Sequence, residues 1–390
     1  MNAVTLADRN KHMSDAARHF NESLSVSRKN SVSVDTKSAQ AHRQYEFDVI
    51  RALAIIGVVA VHSLILINNS TSRPLQLLFI GSQTLFFIGN PLFFLMSGHF
   101  NIRAYDTKEK LTHFWYARAK GIIIPVACYL VIRSIYNVLM YEGIQNIGKV
   151  PRYFLKNLLL KEGFTATEYW FIYVLIGYLL MTPFISKGLN TLTPFAQKSL
   201  LIIGLAYQTA ATLFTNLGYQ FSLSLPISGF FFVFCIGAFV NTLFCERKYR
   251  IILYICGIGT YLLDCYLILR GYNINAQDTS PLFIITALAV YVFLLNACAN
   301  LKENRLISFI ARHSFGVYLC HMMVLIPTAQ YLETYTDTSV LKVGGCVILC
   351  IFVLTVSLVF SVLVNKTLVT PAQRLMDAIK ETLNKRTRLN

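Results

Sequence analysis

The chain has 390 residues, of which 55% are hydrophobic and 14% are charged. Soluble proteins carry about 25% charged residues, so this composition excludes an ordinary soluble domain. Lysine and arginine number 35 against 19 acidic residues, which gives a formal net charge of +16. None of the nine cysteines forms a CxxC pair, so neither a disulfide framework nor a zinc site is indicated.

Long uncharged apolar runs predict an all-α polytopic membrane protein, because such runs of about eighteen residues or more are typical of transmembrane helices. We expect a disordered polar tail over 1–44, a membrane domain over 45–368 and a basic tail over 369–390. About ten spans are predicted, near residues 49–67, 75–100, 121–141, 169–186, 199–216, 226–244, 251–270, 281–300, 306–328 and 343–365.

The basic residues also predict an orientation. With these spans, most lysines and arginines fall in segments on the same side as the N terminus. The positive-inside rule then places both termini in the cytoplasm of a multi-pass protein of the cell membrane, either a bacterial inner membrane or a plasma membrane. Since topology accounts for the basic excess, the expected surroundings are a lipid bilayer, and no nucleic-acid partner is expected.

The first span carries two ionisable residues on one face. Arg51 and His62 are eleven residues apart, which is three helical turns plus about 20°, so both side chains project in the same direction. An ionisable residue inside a membrane helix costs about 2.5–3.5 kcal/mol on insertion scales and is by default a candidate functional residue. Asp48, three residues before Arg51, is a candidate helix N-cap or dipole partner and also a candidate to fix the arginine, and the two roles are compatible.

The second span ends in a stretch that contains Pro91, Ser97, Gly98 and His99. Pro91 and Gly98 predict a kink, which a membrane helix tolerates where neighbouring groups bond to the freed backbone. The Ser97-Gly98 pair either contributes to a site or only allows close helix packing.

The loop before the third span ends in a group of cations that includes Arg118 and Lys120. The positive-inside bias together with an interfacial aromatic belt explains most of them. Cations beside a helix N-terminus at the cytoplasmic face also make an anion site. A phosphorylated cofactor arriving from the cytosol is the ligand that such a site predicts.

Further polar residues lie deeper in the membrane or at its far side. Arg133 and Asp264 lie at similar depth in two spans, which predicts a structural charge pair. Glu168 and Trp170 form a polar, aromatic rim that suits a carbohydrate or simply anchors the helix end at the interface. His321 shares the predicted depth of His62 and is either a catalytic group or a hydrogen-bonded packing residue.

Taken together, these motifs resemble the acyltransferase-3 family of integral membrane acyltransferases over roughly residues 45–365. The matches occur in the family's order along the chain. They are Asp48, Arg51 and His62; Pro91, Phe93, Phe94, Ser97 and Gly98; Arg118, Lys120 and Pro125; Trp170, Phe171 and Pro183; and Ser314, Gly316, Tyr318 and His321. The family commonly has a second arginine three residues after the first in the third group, where this chain has Gly121.

The resemblance implies transfer of an acyl group, most often acetyl, from cytoplasmic acyl-CoA to a hydroxyl of a surface polysaccharide or lipid-linked sugar. It implies no metal, and glycan-assembly proteins are possible partners. His62 would be the general base, and the other catalytic candidates are Arg51, Asp48 and His321. Arg51, Arg118 and Lys120 would bind the acyl-CoA phosphates. The residues expected on the acceptor side are Ser97, His99, Glu168 and Trp170.

Two other classes of protein remain as alternatives. A transporter or flippase would move a glycan or small molecule without acyl transfer, and such proteins often contain inverted repeats; the sequence has no evident repeat. A non-enzymatic scaffold or sensor would leave the shared face of Arg51 and His62 unexplained.

Overall fold

The computed structural model describes residues 44–68, 70–159, 167–219, 221–272, 274, 279–336 and 338–389. The predicted disordered tail, apart from Gln44, lies outside the described residues. The described residues form helices and no strand, which confirms the all-α prediction. The α-helices are α1 (Tyr45–Ser63), α2 (Arg73–Phe86), α3 (Gly89–Asn101), α4 (Lys108–Arg118), α5 (Ile124–Tyr141), α6 (Val150–Leu159), α7 (Trp170–Asn190), α8 (Pro194–Asn216), α9 (Gly229–Gly237), α10 (Val240–Leu243), α11 (Arg247–Leu269), α12 (Pro281–Cys298), α13 (Arg305–Glu333), α14 (Ser339–Val364) and α15 (Thr370–Leu389).

Eight helical stretches of the described chain are long and apolar enough to cross a membrane. This confirms a multi-pass membrane protein. The stretches are Tyr45–Leu66, Arg73–Asn101, Lys108–Tyr141, Trp170–Asn190, Arg247–Leu269, Pro281–Cys298, Arg305–Glu333 and Ser339–Leu383.

The other two of the ten predicted spans are not among these eight. The span predicted at 199–216 is the helix α8, whose Gln208 is buried and donates to the Thr279 carbonyl at 2.9 Å. The span predicted at 226–244 is divided into α9 and α10, neither of which is long enough to cross a bilayer, since about 20 residues are needed.

Helix α1 lies at the centre of the bundle. It packs against α2, α3, α12, α13 and α14, and it buries most of its length. Its one-residue rise of about 1.5 Å places Arg51 and His62 about 16 Å apart along the axis. We call the end of the bundle where α1 begins the Arg51 end and the opposite end the His62 end.

Pro91 interrupts the second span, as predicted, but the break lies one turn before the proline. Helix α2 ends at Phe86 and α3 begins at Gly89. A proline has no N–H for the carbonyl four residues earlier, here that of Phe87, and its ring also clashes there. Gly89 uses the break to approach α1, since a Cβ on it would lie 2.6 Å from the Ala54 carbonyl oxygen.

Two glycines allow α3 and α9 to cross with their backbones in contact. A Cβ added to Gly98 would lie 1.7 Å from the Phe234 carbonyl oxygen, and one added to Gly237 would lie 2.0 Å from that of Leu95. Such contact is the usual role of small residues in membrane helix packing. Gly98 therefore packs, as one of the two interpretations of Ser97-Gly98 predicted.

We expect Gly98→Ala to lower the stability of the folded protein because the added methyl cannot fit against a backbone oxygen. Overpacking of this kind costs about 1–3 kcal/mol and occasionally more. The measurement is the apparent unfolding temperature in detergent. Gly259→Ala in α11 is the matched control, since a Cβ there meets no atom within 4 Å. Equal unfolding temperatures for the two variants would contradict the proposed role of the crossing.

Candidate functional site

Arg51 is held at the start of α1 by a buried carboxylate. Asp48 Oδ1 lies 3.3 Å from Arg51 Nη1, and the Asp48 side chain is 1% exposed. Asp48 also accepts a hydrogen bond from Ser308 Oγ of α13 at 3.3 Å. The Arg51 guanidinium lies over the Phe100 ring, 5.7 Å from its centroid. The geometry fits the prediction that Asp48 orients Arg51.

A cavity of about 520 Å³ lies at the Arg51 end and brings three arginines together. Arg51 comes from α1, Arg103 from the loop after α3, and Arg118 from the end of α4. Pockets of about 300–1,000 Å³ are typical of small-molecule sites. Guanidinium groups bind phosphates through two parallel hydrogen bonds. The part of the cavity that the three arginines line is therefore suited to a polyanion.

Arg118, one of the predicted phosphate ligands, has a buried hydrogen-bond donor. Its Nε is buried and has no hydrogen-bond partner among the described residues. Its guanidinium lies 5.5 Å from the centroid of the Phe114 ring. A buried, unsatisfied donor costs free energy unless a partner arrives, so Arg118 fits an anionic ligand in the cavity.

Lys120, the other predicted phosphate ligand, does not line this cavity. Its ammonium group lies 2.8 Å from Asp377 Oδ2 of α15. Residues two positions apart on a helix do not face each other, and Lys120 lies inside the π-helical turn, Ala119–Ile123, that follows Arg118. Gly121, which stands where the family commonly has a second arginine, lines the cavity.

His62 and His321 lie side by side. Their ring centroids are 5.4 Å apart, with 36° between the ring planes. His62 is half-buried at the end of α1, and His321 is fully buried in α13. The shared depth predicted from residue counts therefore corresponds to a direct contact.

The surroundings of His321 determine which of its nitrogens donates a hydrogen bond and which can accept one. Its Nδ1 lies 2.7 Å from the Tyr318 carbonyl oxygen. Because a carbonyl can only accept, Nδ1 carries the hydrogen, and in the neutral ring Nε2 carries the lone pair. Nε2 is buried and has no hydrogen-bond partner within the described part of the chain. It is therefore placed to accept a hydrogen bond.

A layer of aromatic rings separates the histidine pair from the arginine cavity. Phe93, Phe171 and Tyr318 line the cavity. The Phe171 and Tyr318 ring centroids are 5.2 Å apart, and those of Tyr318 and His321 are 5.7 Å apart. One ring thus stands between the cavity and the imidazole of His321.

Arg133 pairs with Glu168, and the predicted Arg133–Asp264 pair is wrong. Arg133 Nη2 lies 3.4 Å from Glu168 Oε1, and both side chains are 3% exposed. Asp264 is buried on α11, and its carboxylate has no hydrogen-bond partner among the described residues. Helix α5 packs against α13, while α11 packs against α12 and α2, so equal depth does not bring the two residues together.

The Glu168 segment is anchored to the helix that carries His321. Tyr318 donates a hydrogen bond to the Glu168 carbonyl oxygen at 2.6 Å, and Tyr169 donates to that of Leu319 at 2.7 Å. Burial raises the pKa of the Glu168 carboxyl above its usual range, and the Arg133 guanidinium opposes this rise. Glu168 is thus a buried anchor in this geometry.

The four residues expected on the acceptor side lie in different places. Ser97 lines the arginine cavity, and the His99 ring lies 5.0 Å from that of Phe47 at the start of α1. Because α3 runs toward the Arg51 end, both residues lie there and not near the histidine pair. Trp170 is 37% exposed and packs on Phe230, with ring centroids 5.4 Å apart.

Sequence reasoning missed three residues of this arrangement. Arg103 belonged to a recognised group of loop cations, but nothing in its spacing distinguished it from the others. Tyr318 was noted only as part of a motif, and its position between cavity and histidine depends on tertiary packing. Asp377 lies in the basic tail, where no sequence pattern connects it to Lys120. Among the described residues, no cluster of three or more His, Cys, Asp or Glu could hold a metal ion.

Comparison with known proteins identifies the family. The model of a family described as an acyltransferase domain, the acyltransferase-3 family, matches residues 44–362. Searches of characterised proteins and of solved structures find no match. The matched region contains Arg51, Arg118 and both histidines of the pair. The chain belongs to the acyltransferase-3 family of membrane proteins and is an acyltransferase.

Proposed function

We propose that the protein transfers an acyl group, most simply acetyl, from acyl-CoA to a hydroxyl of a surface polysaccharide or lipid-linked sugar. The observation that carries this proposal is the arrangement of three arginines in a cavity, an aromatic layer and a histidine pair beyond it. A donor with phosphates at one end and a thioester at the other suits this order. The Arg51 end would face the cytoplasm, where acyl-CoA is found.

The donor end is supported by charge and burial. Arg51, Arg103 and Arg118 would bind the phosphates, since guanidinium–phosphate contacts are charge-assisted and often bidentate. The thioester arm would then extend past Met96 and Leu175, which line the apolar part of the cavity. Its reactive end would reach the aromatic layer of Phe171 and Tyr318.

The histidine pair would supply the proton transfers. His62, the more exposed of the two, would accept the proton of the acceptor hydroxyl as its oxygen attacks the thioester carbonyl carbon. As the carbon–sulfur bond breaks, the proton would pass to the departing thiolate. His321 Nε2 would stabilise the charged form of His62, because its lone pair can accept a hydrogen bond from that ring.

The activity is tested with membrane vesicles from cells that lack the protein or express it. Vesicles receive acetyl-CoA labelled in the acetyl group, and the saccharide and lipid-linked sugar fractions are analysed for label. We expect label that depends on the protein and is released by mild base, as an O-ester requires. Protein-dependent label that resists mild base, or no transfer from acetyl-CoA, would overturn the proposal.

Arg118→Met tests the donor end. We expect a rise of about 10- to 100-fold in KM for acetyl-CoA, since a hydrogen bond to a charged group contributes about 1.5–3 kcal/mol and about 1.4 kcal/mol corresponds to tenfold. Acetyl-pantetheine, which has no phosphate, should be used equally well by the variant and the native protein. Arg312→Met is the matched control because Arg312 is exposed near the start of α13. An unchanged KM for acetyl-CoA in Arg118→Met would contradict phosphate binding there.

A further inference from the structure

The C-terminal helix α15 lies beyond residue 362, where the family match ends, yet it contacts the turn beside the cavity. Gln373 and Asp377 lie one turn apart on this helix. Both reach the π-helical turn Ala119–Ile123, which connects α4 to α5. The amino-acid pattern of this segment predicted only a basic tail over 369–390.

Gln373 satisfies a backbone carbonyl that the turn leaves without a helical donor. The Ile124 N–H donates to the Ala119 carbonyl oxygen across the wide π-turn. The next residue that could reach the Lys120 carbonyl is Pro125, which has no N–H. Gln373 Nε2 donates to that carbonyl at 2.9 Å. The side chain therefore completes the hydrogen bonding of the turn.

Asp377 fixes the side chains on either side of the same turn. Its carboxylate accepts hydrogen bonds from Lys120 Nζ at 2.9 and 2.8 Å and from the Tyr116 hydroxyl. Lys380, one turn nearer the C terminus, lies 3.7 Å from the centroid of the Tyr116 ring. Helix α15 is thus attached both to the end of α4 and to the π-turn.

The π-helical turn and the residue just before it contribute side chains and backbone to the lining of the cavity. Arg118 and Gly121, which flank Lys120, line it, as does Ile122. We propose that Gln373 and Asp377 are positioning residues that hold this turn so that Arg118 meets the phosphates of the acyl donor. This inference rests on the proposed function. Neither residue touches the donor; both act through the turn.

A direct role of Lys120 in phosphate binding predicts the opposite change in donor affinity. If Lys120 itself bound the donor phosphates, Asp377 would compete with them, and removing its charge would tighten donor binding. The positioning role predicts the reverse, namely weaker binding. The sign of the change in donor affinity therefore distinguishes the two.

The test uses full-length Gln373→Leu and Asp377→Asn proteins, with Glu381→Gln as the control. Glu381 is an exposed acid on the same helix. We expect KM for acetyl-CoA to rise about tenfold, since small misplacement of a binding group is costly. The value of kcat and the KM for acetyl-pantetheine should stay unchanged. The paired exchange Lys120→Asp with Asp377→Lys should restore a low KM. A lower KM, or an equal loss with both donors, would overturn the inference.

Hydrogen–deuterium exchange of the amides from 119 to 124 provides a readout that does not depend on acyl transfer. We expect faster exchange there in Gln373→Leu and Asp377→Asn and no change in Glu381→Gln. If the native protein transferred nothing from either donor, the proposed function would fail. This measurement would still test whether Gln373 and Asp377 hold the π-turn in place. Unchanged exchange in both variants would overturn the positioning role.

Discussion

His62→Ala is expected to lower the rate of acyl transfer by about 10²–10⁴-fold, the usual contribution of a general base. The variant should insert and fold normally, because His62 is only half-buried and an alanine leaves the helix intact. The measurement is label transfer from acetyl-CoA at saturating donor, together with the KM for acetyl-CoA. We expect kcat to fall and KM to change little, since the proposed phosphate site lies at the Arg51 end of the bundle, away from His62.

Two further variants test whether the loss of activity is specific to the histidine pair. His99→Phe removes another imidazole from the bundle but keeps a ring against Phe47 and Phe100, so it should retain activity. His321→Asn keeps a side-chain donor for the Tyr318 carbonyl while it removes the lone pair of Nε2, and it should also lose activity. Normal transfer by His62→Ala would rule out the assigned base.

Arg133→Met is expected to destabilise the folded protein by about 3–5 kcal/mol, because it leaves the Glu168 carboxylate buried without its partner. The segment anchored to Tyr318 should loosen as a result, so activity should fall together with stability. The measurement is the unfolding temperature in detergent, compared with that of Arg152→Met, whose arginine is exposed on α6.

The double variant Arg133→Met with Glu168→Leu tests whether the two charges act as a pair in stabilising the fold. Replacing both charges of a buried pair by apolar groups is often nearly neutral. We expect the double variant to recover most of the lost stability. If it were no more stable than Arg133→Met alone, the two charges would not be acting as a pair.

The sequence predicted the helices well because apolar runs of membrane length have few alternatives. It could not predict that the segment 226–244 divides at Gly237, because that break depends on backbone contact with α3. Two ionisable residues on one face of α1 were predicted from spacing alone. Residue counts predicted only a shared depth for His62 and His321, and the two rings are in contact because the helices that carry them are neighbours.

Equal depth in the membrane predicted a wrong pair where the two helices are not neighbours. Counting residues places Arg133 and Asp264 at one level, but it contains no information about which helices pack together. That Arg118 and Lys120 point in different directions could have been inferred, because residues two positions apart on a helix do not face each other. The ion pair of Lys120 with Asp377 of α15 could not, because it depends on tertiary packing. The grouping of Ser97 with the arginines could have been inferred from the direction of the second span, which runs toward the Arg51 end.

The aromatic layer has a consequence for the membrane as a whole. A protein with openings toward both sides of a bilayer risks leaking protons and ions, and each leaked charge would dissipate stored electrochemical energy. Phe93, Phe94 and Tyr318 all pack on Phe171, with ring centroids 4.6 to 5.9 Å from it. The rings are tilted against one another, and their apolar edges and faces fill the space between them. In the proposed function, the rings that line the cavity would therefore also hinder the passage of ions between the two ends of the bundle.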